Sequence, residues 1–201
     1  MLYIPPLFKV EDQERKIEFI KQYSFATLIS VDCNSIRHLS KIPLLLKLID
    51  EQIYLEGHLA RTNPHWKFIE EKHSQVVAMF DGPHDYVSPT EYLNPILNVP
   101  TWNYSTVVVS GDCKIIDSQE WLMQSTMELA DKYEKDDSWK IKLDKNFANN
   151  LAKGIIGLKI KVQGMEGKFK LSQNRDKQSR LNVIKHFENT NPDLANEMKK
   201  I

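Results

Sequence analysis

Cysteine is scarce: two residues in 201, Cys33 and Cys113, and neither stands in a CxxC or CxxH pair. That argues against a disulfide framework and fits two reduced thiols in a cytoplasmic protein. Charge of one sign is not in excess, because 27 Lys and Arg balance 27 Asp and Glu. With no net field to draw in a polyanion, generic nucleic-acid binding is disfavoured, although a local basic patch is not. No window reaches about 18 apolar residues, so no membrane-spanning helix is expected. The opening MLYIPPLFKVEDQERK lacks the basic start and apolar core of a secretory signal. There are only seven glycines, and neither GxGxxG nor GxxxxGK[ST] occurs, which argues against Rossmann and P-loop nucleotide sites. HExxH and GxSxG are also missing. The six histidines, His38, His58, His65, His73, His84 and His186, show no zinc spacing.

What is present reads as a globular chain, 41% hydrophobic. Asp12 is placed to cap a helix running to about Tyr23, with Ile17, Phe19 and Ile20 inward. Strands are expected at 25–31 (FATLISV), 36–46 with Pro43 at an edge or bulge, 52–59, 75–82, 104–116 with a bulge at Gly111, and 155–171. Asn63 and Pro64 mark a helix start. The proline-rich region 83–100 reads as a long loop with one helical turn. Helices are expected from about Ser118 to Tyr133, from about Asp144 to Lys153, and near 176–188 and 192–200. Short gaps between the early strands favour antiparallel pairing. Six such strands suit a small barrel with peripheral helices, mainly β in an α+β arrangement.

Four stretches carry polar chemistry. In GHLARTNPHW (57–66) a strand ends, a loop supplies Arg61, Thr62 and Asn63, and a helix begins. Either this loop holds an anion at a helix N-terminus, or Asn63 only caps and Arg61 is solvated. In FDGPHDYVSPTEY (80–92), His84 and Asp85 are adjacent and their side chains diverge, so the stretch reads as loop architecture. In VPTWNYSTVVV (99–109), Trp102, Asn103 and Tyr104 precede a strand, suited either to a flat heterocycle or to ordinary packing. In KFKLSQNR (168–175), Lys168 and Lys170 share one face of an extended segment, with Gln173 and Arg175 beyond. That is either an anion clamp or a lysine-protected edge.

Taken in order, MLYIPPLF, FATLIS, GHLARTNPHW, FDGPHDYVSP, VPTWNY and EGKFKLSQNR resemble the PaiB-like family of FMN-binding proteins of negative transcriptional regulator type. The resemblance runs from Met1 to about Phe187. It implies an FMN-binding split β-barrel, Greek-key-like, as a single domain over 1–187. A helical insert would lie at about 118–153 and a C-terminal helical tail at 188–201. It implies FMN as cofactor and a homodimer with the flavin at the subunit interface. His58, Arg61 and Asn63 match GHLARxNP and would sit near the phosphate. Ser40 and Lys41 stand in the segment that reads ASHLPLLL in the family, with Lys41 replacing its histidine. Trp102, Asn103 and Tyr104 match VPTWNY and would line the ring from the partner. Lys168, Lys170, Gln173 and Arg175 match GKFKLSQNR. A second departure is Glu91–Tyr92, where the family has Trp-Tyr.

Three functional readings follow. The first is a flavoprotein in which any redox chemistry belongs to the flavin, with no residue marked as catalytic acid or base. The second is a negative regulator of transcription, acting indirectly or by direct DNA binding through Arg175, Lys177, Arg180 and Lys185. The third is a haem-binding split barrel with His84 or His186 as axial ligand.

Overall fold

The computed structural model describes residues 2–32, 35–72, 75–136, 150 and 152–201. The helix expected from about Asp144 to Lys153 falls mostly outside the described residues, and Cys33 and His73 fall outside them altogether. In chain order the elements are α1 (Gln13–Gln22), β1 (Phe25–Asp32), β2 (Ser35–Pro43), β3 (Leu45–Ile49), β4 (Gln52–Ala60), α2 (His65–Lys72), β5 (Gln75–Val87), β6 (Thr101–Ile116), α3 (Gln119–Tyr133), β7 (Ile155–Lys170), α4 (Lys177–Thr190) and α5 (Pro192–Lys199). The strands form one seven-stranded sheet in the order β2-β1-β5-β6-β7-β4-β3. The pairs β1–β2, β1–β5, β3–β4 and β4–β7 are antiparallel.

The architecture is the expected one, mainly β with helices, but the strand count is seven and not six. The stretch 36–46 is two strands. Leu44 leaves the ladder: its N–H donates to Ser24 O at 2.9 Å and its side chain is wholly buried. β3 then turns to pair with β4. Two loop expectations also change. Residues 83–87, read as a turn and loop, extend β5, and β6 starts at Thr101, so Trp102, Asn103 and Tyr104 lie within a strand. Gly111 does not interrupt β6. A Cβ there would stand 2.2 Å from Lys161 O, so glycine serves close backbone approach.

The chain divides into two compact units. The first comprises Met1–Tyr23, Phe80–Val108 and Glu166–Ile201. Asp12 caps α1 by accepting from Glu14 N (2.9 Å), which directs Phe19 and Ile20 into a core with Phe169, Val183, Phe187, Leu194 and Met198. Glu197 of α5 is buried in this unit. Its carboxylate accepts from Arg15 (2.9 Å), Lys200 (2.6 Å) and the Tyr23 hydroxyl (3.2 Å), which offsets the cost of removing it from water. Burial and that neighbouring carboxylate push the Tyr23 pKa upward.

The second unit comprises Ser24–Met79 and Val109–Met165. Its core takes Leu28 from β1, Leu44, Leu55 from β4, Ile69 from α2 and Leu158 from β7. On the other face of β4, Glu56 is buried between Lys47 and Lys159, each at 2.9 Å. Cys113 is a free buried thiol whose pKa burial pushes up to about 12.

The β3–β4 hairpin closes through Asp50 and Glu51, at φ 48° and 64°, between the paired residues Ile49 and Gln52. Two positive-φ residues in a two-residue loop favour Asn-Gly, so the native pair carries strain. Asp50→Asn combined with Glu51→Gly is expected to stabilise the chain by about 1 kcal/mol. Calorimetry should then show the melting midpoint rising by about 2–4 °C.

Candidate functional site

The residues singled out from sequence fall into two groups, one in each unit. In the second unit they gather around the start of α2. β4 ends at Ala60, and Asn63 N donates to Ala60 O at 2.9 Å, turning the chain. Asn63 Oδ1 then accepts from His65 N at 3.0 Å and Pro64 occupies the first turn, so capping is part of what Asn63 does. Its amide nitrogen donates to Ser40 Oγ at 3.0 Å.

Ser40, on β2, is buried and also meets His65 Nδ1 at 2.9 Å, while the other ring nitrogen of His65 meets Ser30 Oγ of β1 at 2.8 Å. His38 stacks on the His65 ring with centroids 5.3 Å apart. Burial and His38 together lower the His65 pKa to about 4. One imidazole thus fastens two strands and a helix start, yet sequence reasoning passed over His65 and Ser30. The available signal was Ser30 itself, a hydroxyl between Ile29 and Val31 near the end of the apolar run FATLISV.

Lys41 is exposed on β2, with Nζ donating to Thr27 Oγ1 at 3.0 Å across the β1 pair and lying over the Phe25 ring. Arg61 is held on three sides. Its guanidinium grips Asp117 in bidentate fashion (3.0 and 2.5 Å), and Nε donates to Lys153 O at 2.9 Å. His58 is half-buried on β4. Its Nδ1 is buried with no hydrogen-bond partner among the described residues, and burial lowers its pKa.

In the first unit the group gathers where β6 and β7 approach one another. Asn103 is wholly buried and exchanges two hydrogen bonds with Ser172, donating at 2.9 Å and accepting at 3.1 Å. Ser172 has φ 63°, so this pair pins a left-handed residue just past β7. Gln173 folds onto its own turn, accepting from Leu171 N (2.6 Å) and donating to Phe169 O (2.5 Å). Asn103 and Gln173 therefore build the turn that joins Lys168 and Lys170, at the end of β7, to Arg175.

Lys170 Nζ donates to Thr101 Oγ1 and Trp102 O, both at 2.5 Å. Lys168 is buried, with its amine 5.3 Å from the ring centroids of Tyr3 and Tyr104. Arg175 lies over Tyr92 and donates to Asn98 Oδ1 at 2.6 Å. No carboxylate pairs with these three cations among the described residues. Burial, Arg175 and Lys168 together lower the Lys170 pKa, as expected for positive charges crowded without a counter-ion. Beside them a cavity of about 490 Å³ is lined by Asp81, Gly82, His84, Trp102, Tyr104 and Ser105. Glu91 sits 3.5 Å from His186 Nδ1, and His84 Nδ1 lies 3.3 Å from Gly82 O.

A mainly antiparallel sheet with peripheral helices, carrying cations and aromatics on its long strands, is a protein of the split β-barrel class. Among solved structures the fold matches the flavocytochrome Anf3 of Azotobacter vinelandii, at a TM-score of 0.61 and 10% identity over 87% of this chain and 75% of that one. It also matches a conserved hypothetical protein of Mycobacterium tuberculosis, at 0.59 and 12% over 87% and 94%. Residues 2–164 match the family model described as "Putative FMN-binding domain". The whole chain is 34% identical to the Bacillus subtilis "Protease synthase and sporulation protein PAI 2", covering 96% of it. An uncharacterized protein of Aspergillus fumigatus is 30% identical over 67% of this chain and 66% of its own. The chain belongs to the FMN-binding-domain family of PaiB-like split barrels, and FMN is the cofactor of that family. Among the described residues, no helix is long and apolar enough to cross a membrane.

The His65 pKa gives a pH test. A folded-state value near 4, below the ordinary 6.5, means the neutral ring contributes stability that is fully present above pH 6.5 and is lost as pH falls toward 4. The melting midpoint of the native protein should therefore drop more steeply between those values than that of His65→Gln. Parallel slopes would remove His65 from the acid transition.

Proposed function

We propose that the chain is an FMN-binding flavoprotein that works as a cytoplasmic homodimer with two cofactor sites at the subunit interface. The observation that carries this reading is the buried Nδ1 of His58, which has no hydrogen-bond partner among the described residues, near the end of the strand that leads into the donor-rich loop 60–63. A polar atom withheld from water and left unbonded marks a position where a ligand atom completes the set. The donors fit FMN. Ser40, Lys41, His58, Arg61 and Asn63 suit its phosphate, through charge-assisted hydrogen bonds and a helix start. Trp102 and Tyr104 of the partner copy suit the flat ring, and Lys168, Lys170 and Arg175 place positive charge at its rim.

When bound, the flavin supplies the redox chemistry. The protein's residues hold it, orient it and set the charge around it. Asn103 and Gln173 serve the site from behind by fixing the turn that carries the cations.

A regulatory role in transcription is what the PaiB-like resemblance implies, and the Bacillus relative is named for protease synthesis and sporulation. Indirect action is the better-supported form. The net charge is zero, and Arg180 of α4 is engaged by the carbonyls of Met198 and Ile201. That engagement weakens the case for a free basic face on α4.

The test is a titration of cofactor-stripped protein with FMN, followed by flavin fluorescence and absorption, with riboflavin as control. FMN should bind saturably and at least about tenfold more tightly than riboflavin, as expected for hydrogen bonds to a charged phosphate. Equal affinities would refute the phosphate site, and a Soret band with haem in place of flavin binding would favour the haem reading. Arg61→Ala should weaken FMN binding with the melting transition intact.

A further inference from the structure

Four groups form a closed hydrogen-bond chain in the second unit: Ser30, His65, Ser40 and Asn63. The Asn63 amide is oriented without ambiguity, because its oxygen accepts from the backbone N–H of His65 at 3.0 Å. Its nitrogen therefore donates to Ser40 Oγ at 3.0 Å. What remains is the ring proton of His65 and the two hydroxyl protons. A neutral imidazole has one N–H and one acceptor nitrogen.

If the proton is on Nε2, it donates to Ser30 Oγ. Ser40 then donates to Nδ1, and the Ser30 hydroxyl proton has no acceptor. Ser30 is 0% exposed and its hydroxyl makes no other hydrogen bond among the described residues, so this arrangement strands a donor in the core. If the proton is on Nδ1, Ser30 donates to Nε2 and is satisfied as a donor. Ser40 Oγ then accepts twice, from His65 Nδ1–H and from Asn63 Nδ2, and its own proton is the one left over. Ser40 retains 8% exposure beside the loop 60–63, where Ser30 has none. A charged ring would strand both hydroxyl protons.

We infer that His65 is fixed as the Nδ1–H tautomer, and that this leaves the Ser40 hydroxyl as a dedicated proton donor to an anionic oxygen of the ligand, with Ser30 and His65 as positioning residues. The ligand half of the inference rests on the FMN reading above and deepens it: the oxygen is one of the phosphate oxygens of FMN. The tautomer half stands on this chain's geometry alone.

Two measurements on the full-length protein separate the two halves. Long-range proton–nitrogen correlation spectra of histidine-labelled protein report which His65 nitrogen carries the proton, without any flavin. A protonated Nδ1 and bare Nε2 are expected at pH 7, and a protonated Nε2 overturns the inference whatever binds. The second measurement is the ratio of FMN to riboflavin affinity in Ser40→Ala and Ser40→Thr. Alanine should lower the ratio about tenfold or more, and threonine, which keeps the hydroxyl, should restore it. A ratio unchanged in Ser40→Ala overturns the ligand half while the FMN reading stands. Failure of the native protein to bind FMN overturns the FMN reading and the ligand half together, and leaves the tautomer to be decided by the spectra.

Discussion

A neutral imidazole held between two hydroxyls is the constraint on which the second unit depends. His65 is wholly buried, and its two ring nitrogens reach β1 through Ser30 and β2 through Ser40. Its backbone N–H closes the Asn63 cap that starts α2. Sheet edge, loop and helix are thereby set in one register. The price is that the ring cannot charge at ordinary pH, since a second N–H would leave buried hydroxyl protons without acceptors. Polar satisfaction inside the fold and polar presentation at its surface are the same arrangement seen from two sides.

The first unit solves a different problem by similar means. Three cations stand together with no carboxylate paired to them among the described residues, which costs free energy unless an anion or a polarisable surface faces them. Aromatic faces supply part of the answer, with Tyr3 and Tyr104 around Lys168 and Tyr92 beneath Arg175. The turn that carries them is over-determined by Asn103, Ser172 and Gln173. Such a turn keeps charges in place that would otherwise spread apart in water.

How much was legible in the sequence can be judged from particular residues. β1 was plain because FATLISV is apolar and β-branched, and the cap at Asp12 was plain because capping is local chemistry. The split at Leu44 was hidden, since a hydrogen bond from Leu44 to Ser24 is a tertiary event that no local pattern records. Residues 83–87 looked like a loop because Gly-Pro-His is turn chemistry, yet they continue β5. In the site, residue types were easier to read than roles. Asn103 and Gln173 were marked as ligand contacts, and the structure shows their polar atoms spent on the fold. His65 went unmarked because its partners come from strands 25 and 35 residues away in sequence.

The central proposal is that the phosphate of FMN meets the start of α2 and that Trp102 and Tyr104 of a partner copy meet its ring. A crystal structure of the chain loaded with FMN tests it most directly. A phosphate oxygen is expected within about 3 Å of Ser40 Oγ, with the loop 60–63 around it and Trp102 or Tyr104 of the partner copy against the ring. A phosphate seated on Lys168 and Lys170, with the Ser40 hydroxyl unengaged, would contradict it.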